Sequence, residues 1–190
     1  MNRPPSTVRL AERDRAAILE HFTALGTEDR RLRFGASTSN EGLRAYVARI
    51  DFERDGIFAV QDESLRLLAV VHVAVAPGSA ELGLSVLPGL RAMGLGSALF
   101  ARAVTHIRNR GLGEVFVHCI SENAAMMHLA RKHGMRLASF GMESDGRLEL
   151  EPATAQSYVS EWLEDQQAFT VRALRENARA ARWMLGLAAR

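Results

Sequence analysis

The chain has 190 residues, 47% hydrophobic and 24% charged, with a net charge of +2 and one cysteine. That length suits one domain with an appendage and a sizeable core, and so small a charge argues against nucleic acid or membrane partners. Cys119 has no internal disulfide partner, which fits a reducing compartment. Met1-Asn2-Arg3-Pro4-Pro5 lacks the apolar core of a secretory signal, and the longest apolar run, Leu67 to Ala76, is too short to span a bilayer. A cytoplasmic location is expected.

Residues 1–6 read as a loose arm and Thr7 to Leu10 as a short first strand. Asp14 stands where it would cap an amphipathic helix through Ile18, Leu19, Phe22 and Leu25, which Gly26 ends. Thr27 to Phe34 opens with a capping threonine and two acids, so a short second helix is expected. Its Arg30, Arg31 and Arg33 read as a solvated face, with contact to an acidic substrate as the alternative. Ser39 or Asn40 caps a third helix through Leu43, Tyr46, Val47 and Ile50.

From Gly56 the period switches to two. Gly56–Val60 and Leu65–Ala76 flank a turn at Gln61–Ser64, and Pro77-Gly78 turns the chain into a third strand, Ser79–Leu87. A glycine-rich loop then enters a helix marked by Leu95, Leu99, Ala103 and Ile107, ending near Gly111. Glu114–Ile120 reads as a buried strand and Glu122–His133 as a helix closed by Gly134. Arg136–Met142 and Arg147–Leu150 complete a hairpin about an Asp145-Gly146 turn.

The loop Val86-Leu87-Pro88-Gly89-Leu90-Arg91-Ala92-Met93-Gly94-Leu95-Gly96-Ser97 is the most informative stretch. It gathers free backbone N–H groups and the positive end of a helix dipole, where a phosphate or pyrophosphate is the natural guest. Gly94 and Gly96 let the backbone approach that guest, because no Cβ intervenes. No Lys follows the glycines as a P-loop requires, and Leu99 stands where a dinucleotide fingerprint needs glycine. The pattern of Arg91, Gly94, Gly96 and Ser97 resembles the acetyl-CoA pyrophosphate loop of the GNAT N-acetyltransferase superfamily. The run Asn123-Ala124-Ala125-Met126-Met127-His128-Leu129-Ala130-Arg131-Lys132-His133-Gly134-Met135 resembles that family's N-x-x-(A/M)-x-x-L-x-x-K-x-G-(F/M) segment.

The resemblance covers residues 7–151, with residues 152–190 as a C-terminal helical extension. It implies an α/β (α+β) acyl-CoA N-acyltransferase fold, a mixed and mostly antiparallel sheet flanked by helices. It further implies direct transfer of an acetyl group from acetyl-CoA to a primary amine, on a small molecule or a protein lysine. Leu87, Arg91, Met93, Gly94, Leu95, Gly96, Ser97 and Asn123 would bind the cosubstrate, the Leu87 backbone N–H polarising the thioester carbonyl. Glu81 is the candidate base: alternation sets Glu81, Gly83 and Ser85 opposite Leu82, Leu84 and Val86, and some family members use a glutamate on this strand. The alternative for Glu81 is a solvated strand-end acid.

Ala130 occupies the position where many members carry the tyrosine that protonates the thiolate, which leaves solvent as the proton source. His128 and His133 flank it, but helical direction turns neither toward that place. His72 and His118 read as sheet-face histidines, with lining of the acceptor pocket as the alternative. Cys119 reads as buried filler, and the His and Cys spacing suggests no metal. The acceptor pocket carries no signature, so protein lysine, a polyamine, an aminoglycoside and an amino acid all stay open.

Between Arg147 and Leu185 there is no glycine, and after Pro152 no proline. Val159, Trp162, Leu163, Gln166, Phe169, Ala173, Leu174, Ala178, Ala181 and Leu185 form a stripe at helical spacing. One helix of roughly 30 residues would be about 45 Å long, so it is expected either to break in two or to extend beyond its domain. The stripe, with Trp162 and Trp183, is expected to be buried in a homodimer, with a helix laid across its own core as the alternative. One rival reading is a non-catalytic acetyl-CoA-binding sensor or interaction module with the tail as output. The other is a dinucleotide-binding enzyme, disfavoured by Leu99 and by the antiparallel strands.

Overall fold

The computed structural model describes residues 5–184. Residues 1–4 of the expected arm, Leu185 of the stripe and the side chain of Trp183 lie outside the described residues. β1 (Val8–Arg9) leads through a 3-10 turn into α1 (Arg15–Thr23), α2 (Thr27–Phe34) and α3 (Asn40–Ala48). β2 (Gly56–Gln61), β3 (Leu67–Ala76) and β4 (Ser79–Val86) follow, then α4 (Leu95–Asn109), β5 (Glu114–Ile120) and α5 (Ala124–Lys132). β6 (Arg136–Phe140), β7 (Glu143–Glu149) and α6 (Ala155–Met184) close the described chain. The strands form one sheet in the order β1-β2-β3-β4-β5-β7-β6, all neighbours antiparallel except β4 and β5.

Both faces of the sheet are covered, which is why β3 reads as a nearly unbroken apolar run. On one face Val71, Val73, Val115 and Val117 pack against Leu99, Ala103 and Ile107 of α4 and Ala130 of α5. On the other, Ile57 and Val70 meet Ile18 and Phe22 of α1 and Leu43 and Val47 of α3. Ser39 caps α3, its hydroxyl accepting the Gly42 N–H at 3.2 Å. Asp14 precedes α1 but does not cap it with its side chain. Its carboxylate accepts the Ala11 N–H at 2.9 Å and pairs with Arg172 of α6 at 2.6 Å.

The feature that positions the site is the junction of β4 and β5. These parallel strands pair only at Ser79 with Glu114, Ala80 with Val115 and Glu81 with Phe116. Beyond Glu81, β4 stays with β3 as far as Val86, while β5 stays with β7 as far as Ile120. The two halves of the sheet therefore part, leaving a wedge.

One expectation about the C-terminal third needs correction. The hairpin turn lies at Gly141-Met142, with Gly141 at φ 65°, and Asp145-Gly146 sits within β7. A Cβ on Gly146 would stand 2.9 Å from Val117 Cγ2 and 3.0 Å from Leu137 Cδ2. Close packing inside a strand, and not a turn, is why glycine stands there.

α6 does not break in two: it is a single helix of 30 residues, about 45 Å long. It lies on α4 and β1 through its polar face. Arg102 of α4, buried, is surrounded by Glu161, Glu164 and Asp165, with Glu161 at 2.9 Å. Farther along, Arg172 meets Asp14, and among the described residues only Ala168 enters the core as a buried apolar residue of the helix. The stripe faces outward, with Val159, Trp162, Phe169 and Leu174 all more than half exposed.

Candidate active site

A cavity of about 700 Å³ occupies the wedge, between α2, the glycine-rich loop, α5 and the free part of β4. Arg91, Gly94, Leu95, Gly96, Ser97 and Asn123 all line it, as their sequence positions suggest. Leu87 and Met93 are not on its wall: Leu87 is buried in the core and Met93 is largely exposed.

The loop turns through three left-handed positions, Gly89 (φ 81°), Ala92 (φ 62°) and Gly94 (φ 81°). Alternation of left- and right-handed residues turns successive N–H groups to one side and makes an anion-binding concavity. Gly94 is the N-cap of α4, and a Cβ there would meet nothing within 4 Å. Glycine is required by its φ, and the space beside it is open to a guest. The N–H groups of Leu95, Gly96 and Ser97 open the helix, and Ala98 is the first whose N–H bonds back, to the Gly94 carbonyl at 3.0 Å. The N-terminus of α5 also borders the cavity at Ala124 and Ala125, so two positive helix ends meet there. Lys132 and Arg91 add cationic side chains to the wall, where Arg91 pairs with the Asp29 carboxylate of α2. This donor set fits a pyrophosphate.

Asn123 also has a structural part at the cavity wall. Its side-chain oxygen caps α5 by accepting the Met126 N–H at 3.0 Å, and its amide nitrogen donates to the Leu32 carbonyl of α2 at 3.1 Å. It braces α5 against α2 across the cavity. Ser97 Oγ lies 2.9 Å from His133 Nε2, and the His133 ring stacks on Phe100 at 4.4 Å. Burial lowers the His133 pKa, so this imidazole is neutral at pH 7.

The expected role of the Leu87 N–H is overturned. That N–H donates to the Leu68 carbonyl of β3 at 3.0 Å. In an antiparallel ladder successive N–H groups alternate sides, so Leu84 and Val86 turn theirs toward the wedge. Both residues line the cavity. The donor moves by one residue because hydrogen-bond parity follows strand register, which the sequence does not state.

On the face of the sheet toward α1 to α3, Glu81 is exposed and pairs in register with Phe116. Across the gap His118 Nδ1 lies 2.7 Å from Asp145. The hydrogen bond to Asp145, with the charges of Glu143 and Glu81, raises the His118 pKa. His72 is buried, with Nδ1 2.6 Å from the Tyr46 hydroxyl and Nε2 3.0 Å from Asp55. Burial lowers its pKa despite the bond to Asp55. Burial opposes ionisation of Asp55, but hydrogen bonds from the Val75 N–H, His72 and Arg54 hold its carboxyl below the ordinary value. His21 bonds the Leu67 carbonyl and Ser85 Oγ, and burial brings its pKa down to about 4.

Tyr46 and Asp55 gave no functional signal in the sequence, since one fits a helix stripe and the other a loop. The one local hint was Gly83 in mid-strand, opposite His72, where glycine marks a close approach. Ala130 is fully buried and offers no hydroxyl, whereas His128 lines the cavity. Cys119 is buried against Met127 at 3.9 Å, and burial pushes its thiol pKa up.

Residues 22–135 match the family model described as the acetyltransferase (GNAT) family. No curated protein sequence matches the chain. Among solved structures, the GNAT domain of S. lividans PAT is similar at TM-score 0.65 and 18% identity, over 76% of this chain and 89% of that one. The ribosomal-protein-S18-alanine N-acetyltransferase from Escherichia coli gives TM-score 0.60 at 18% identity, over 78% and 96%. yncA, a putative acetyltransferase from Salmonella typhimurium solved with acetyl-CoA, gives 0.61 at 17% identity, over 80% and 98%. At these identities the likeness is one of fold.

Proposed function

The chain belongs to the GNAT family of acetyltransferases, and from that premise we propose that it moves an acetyl group from acetyl-CoA directly to a primary amine. The observation that carries this reading is the parted β4–β5 junction, with two helix N-termini bordering the cavity. Glu81 stands at the last paired position of that junction and is not part of the cavity's lining. Acetyl-CoA, the cosubstrate of this family, supplies an activated thioester. Residues Gly94 to Ser97 hold its pyrophosphate, with Lys132 and Arg91 beside it. The N–H groups of Leu84 and Val86 stand ready to donate to an oxygen on which negative charge develops. Glu81 takes the proton of the acceptor ammonium, directly or through water. Solvent protonates the departing thiolate, since Ala130 has no hydroxyl to give.

In this reading residues 7–151 are the catalytic domain, residues 152–190 are a C-terminal extension that includes α6, and the enzyme is cytoplasmic. Pairing of two copies through the outward stripe of α6 makes it a homodimer. An amine panel assayed with acetyl-CoA by thiol release tests the activity. Acetyl-CoA binding with no turnover of any amine would favour a sensor and overturn the proposal. Glu81→Gln tests the base: removing a general base costs roughly 10²–10⁴-fold in kcat with acetyl-CoA affinity nearly unchanged. A variant keeping more than about a third of wild-type kcat, short of even the low end of that range, assigns the base elsewhere.

A further inference from the structure

We infer that the acceptor carries a carboxylate close to its amine and that Arg33 receives it. This rests on the acetyl-transfer reading above and names its substrate class.

The three arginines of α2 separate by environment. Arg30 donates to the Leu25 carbonyl at 3.0 Å and the Thr23 carbonyl at 2.7 Å, closing the end of α1. Arg31 pairs with Glu28 and with Glu122. Arg33 turns inward, lines the cavity and pairs with no carboxylate among the described residues. Its guanidinium lies 4.8 Å from the Phe34 ring, 5.7 Å from Tyr46 and 5.8 Å from Phe22. Nη2 donates to the Tyr46 hydroxyl at 3.1 Å, while Nε is buried with no hydrogen-bond partner among the described residues.

The aromatic walls and a chain of hydrogen bonds hold this cation in place. Tyr46, accepting from Arg33, donates to His72 Nδ1, and His72 Nε2–H donates to Asp55. Gly83 leaves the room: a Cβ there would stand well under 3.0 Å from the guanidinium. A partly desolvated guanidinium with a spare donor is costly unless something anionic meets it. Its planar fork matches a carboxylate.

Position selects the ligand. The pyrophosphate donors sit at the Val86 end of the free part of β4, three residues from Gly83, or about 10 Å at 3.3 Å per residue. Glu81 lies two residues from Gly83 on the same face, about 7 Å away. A negative and a positive group at that spacing complement a zwitterion whose amine and carboxylate are a few bonds apart, as in an amino acid. A polyamine or aminoglycoside would meet Arg33 with like charge, and a lysine side chain has no carboxylate beside its amine. In the transfer the amine nitrogen bonds the acetyl carbon and the C–S bond breaks with its electron pair going to sulfur. The nitrogen's proton passes to Glu81, and solvent returns one to the thiolate.

The test compares kcat/KM for amino acids with that for their carboxamides and decarboxylated amines, at saturating acetyl-CoA. The wild type should prefer the acids by roughly 10–100-fold, the worth of a charge-assisted hydrogen bond. Arg33→Gln should collapse that ratio through KM, Arg33→Lys should restore part of it, and Gly83→Ala, which evicts the guanidinium but keeps its charge, should lower it as well. The Gly83 variant keeps the test decisive if Arg33→Gln fails to fold. Preference for amines without a carboxylate, or equal losses for acid and amide in the variants, would overturn the inference. If no acceptor is acetylated, the transfer reading falls. Calorimetry of amino acids against the CoA-loaded protein then decides this point: binding lost in Arg33→Gln supports the carboxylate receptor, and no binding overturns it.

Discussion

Glu161 offers the most quantitative test of how α6 is held. Its carboxylate is 2.8 Å from His106 Nδ1, 2.6 Å from Asn109 Nδ2 and 2.9 Å from Arg102 Nη1. Burial opposes its ionisation, but the bonds from His106 and Asn109 and the Arg102 charge prevail and lower its pKa from 4.5 to about 2. At 1.36 kcal/mol for each tenfold step in proton affinity, that difference is worth about 3 kcal/mol of stability. The folded pKa lies below the unfolded one, so the contribution is complete above about pH 5 and lost as pH falls toward 2. Glutamine cannot ionise. Glu161→Gln should therefore cost about 3 kcal/mol at pH 7, lowering Tm by roughly 6–12 °C for a chain of this size. Urea unfolding of both proteins at pH 7, 5 and 3 should show the gap closing toward the acid end. A gap under about 1 kcal/mol at pH 7, or one that stays constant down to pH 3, would mean that this ion cluster does not anchor α6 as argued.

The other expectations concern the loop and the outward stripe. Gly94→Val places a β-branched residue at φ 81°, a conformation costing an L residue roughly 1–2 kcal/mol, and should reshape the anion concavity. Acetyl-CoA affinity should fall at least about tenfold in a folded protein, and undiminished calorimetric affinity would contradict the assignment. Trp162→Glu with Phe169→Glu should turn a dimer into a monomer by light scattering, with the fold retained, because both side chains face outward. A wild-type monomer at micromolar concentration would refute the pairing.

What the sequence determined alone was local. Gly94 and Gly96 before an apolar helix stripe, the period-two strands from Gly56, the Ser39 cap and the glycine-free tail each depend on preferences acting within a few residues. Each is in the structure. The pyrophosphate end of the cavity could be read for that reason, since it is one loop and the helix it opens. What only the tertiary structure decided depends on which distant residues meet. The parity of the β3–β4 ladder spends the Leu87 N–H and turns those of Leu84 and Val86 into the wedge. Gly146, read as a turn residue, is fixed by the approach of Val117 and Leu137. α6 lays its polar face inward because Arg102 and Asp14 wait there as partners, distant in sequence from Glu161 and Arg172. Arg33 looks like its neighbours Arg30 and Arg31 until Phe22, Phe34, Tyr46 and Gly83 come together around it. Conformational preference is encoded within a turn of the chain, whereas an ion pair, a hydrogen-bond parity or a cation's surroundings exist only once non-local elements have packed.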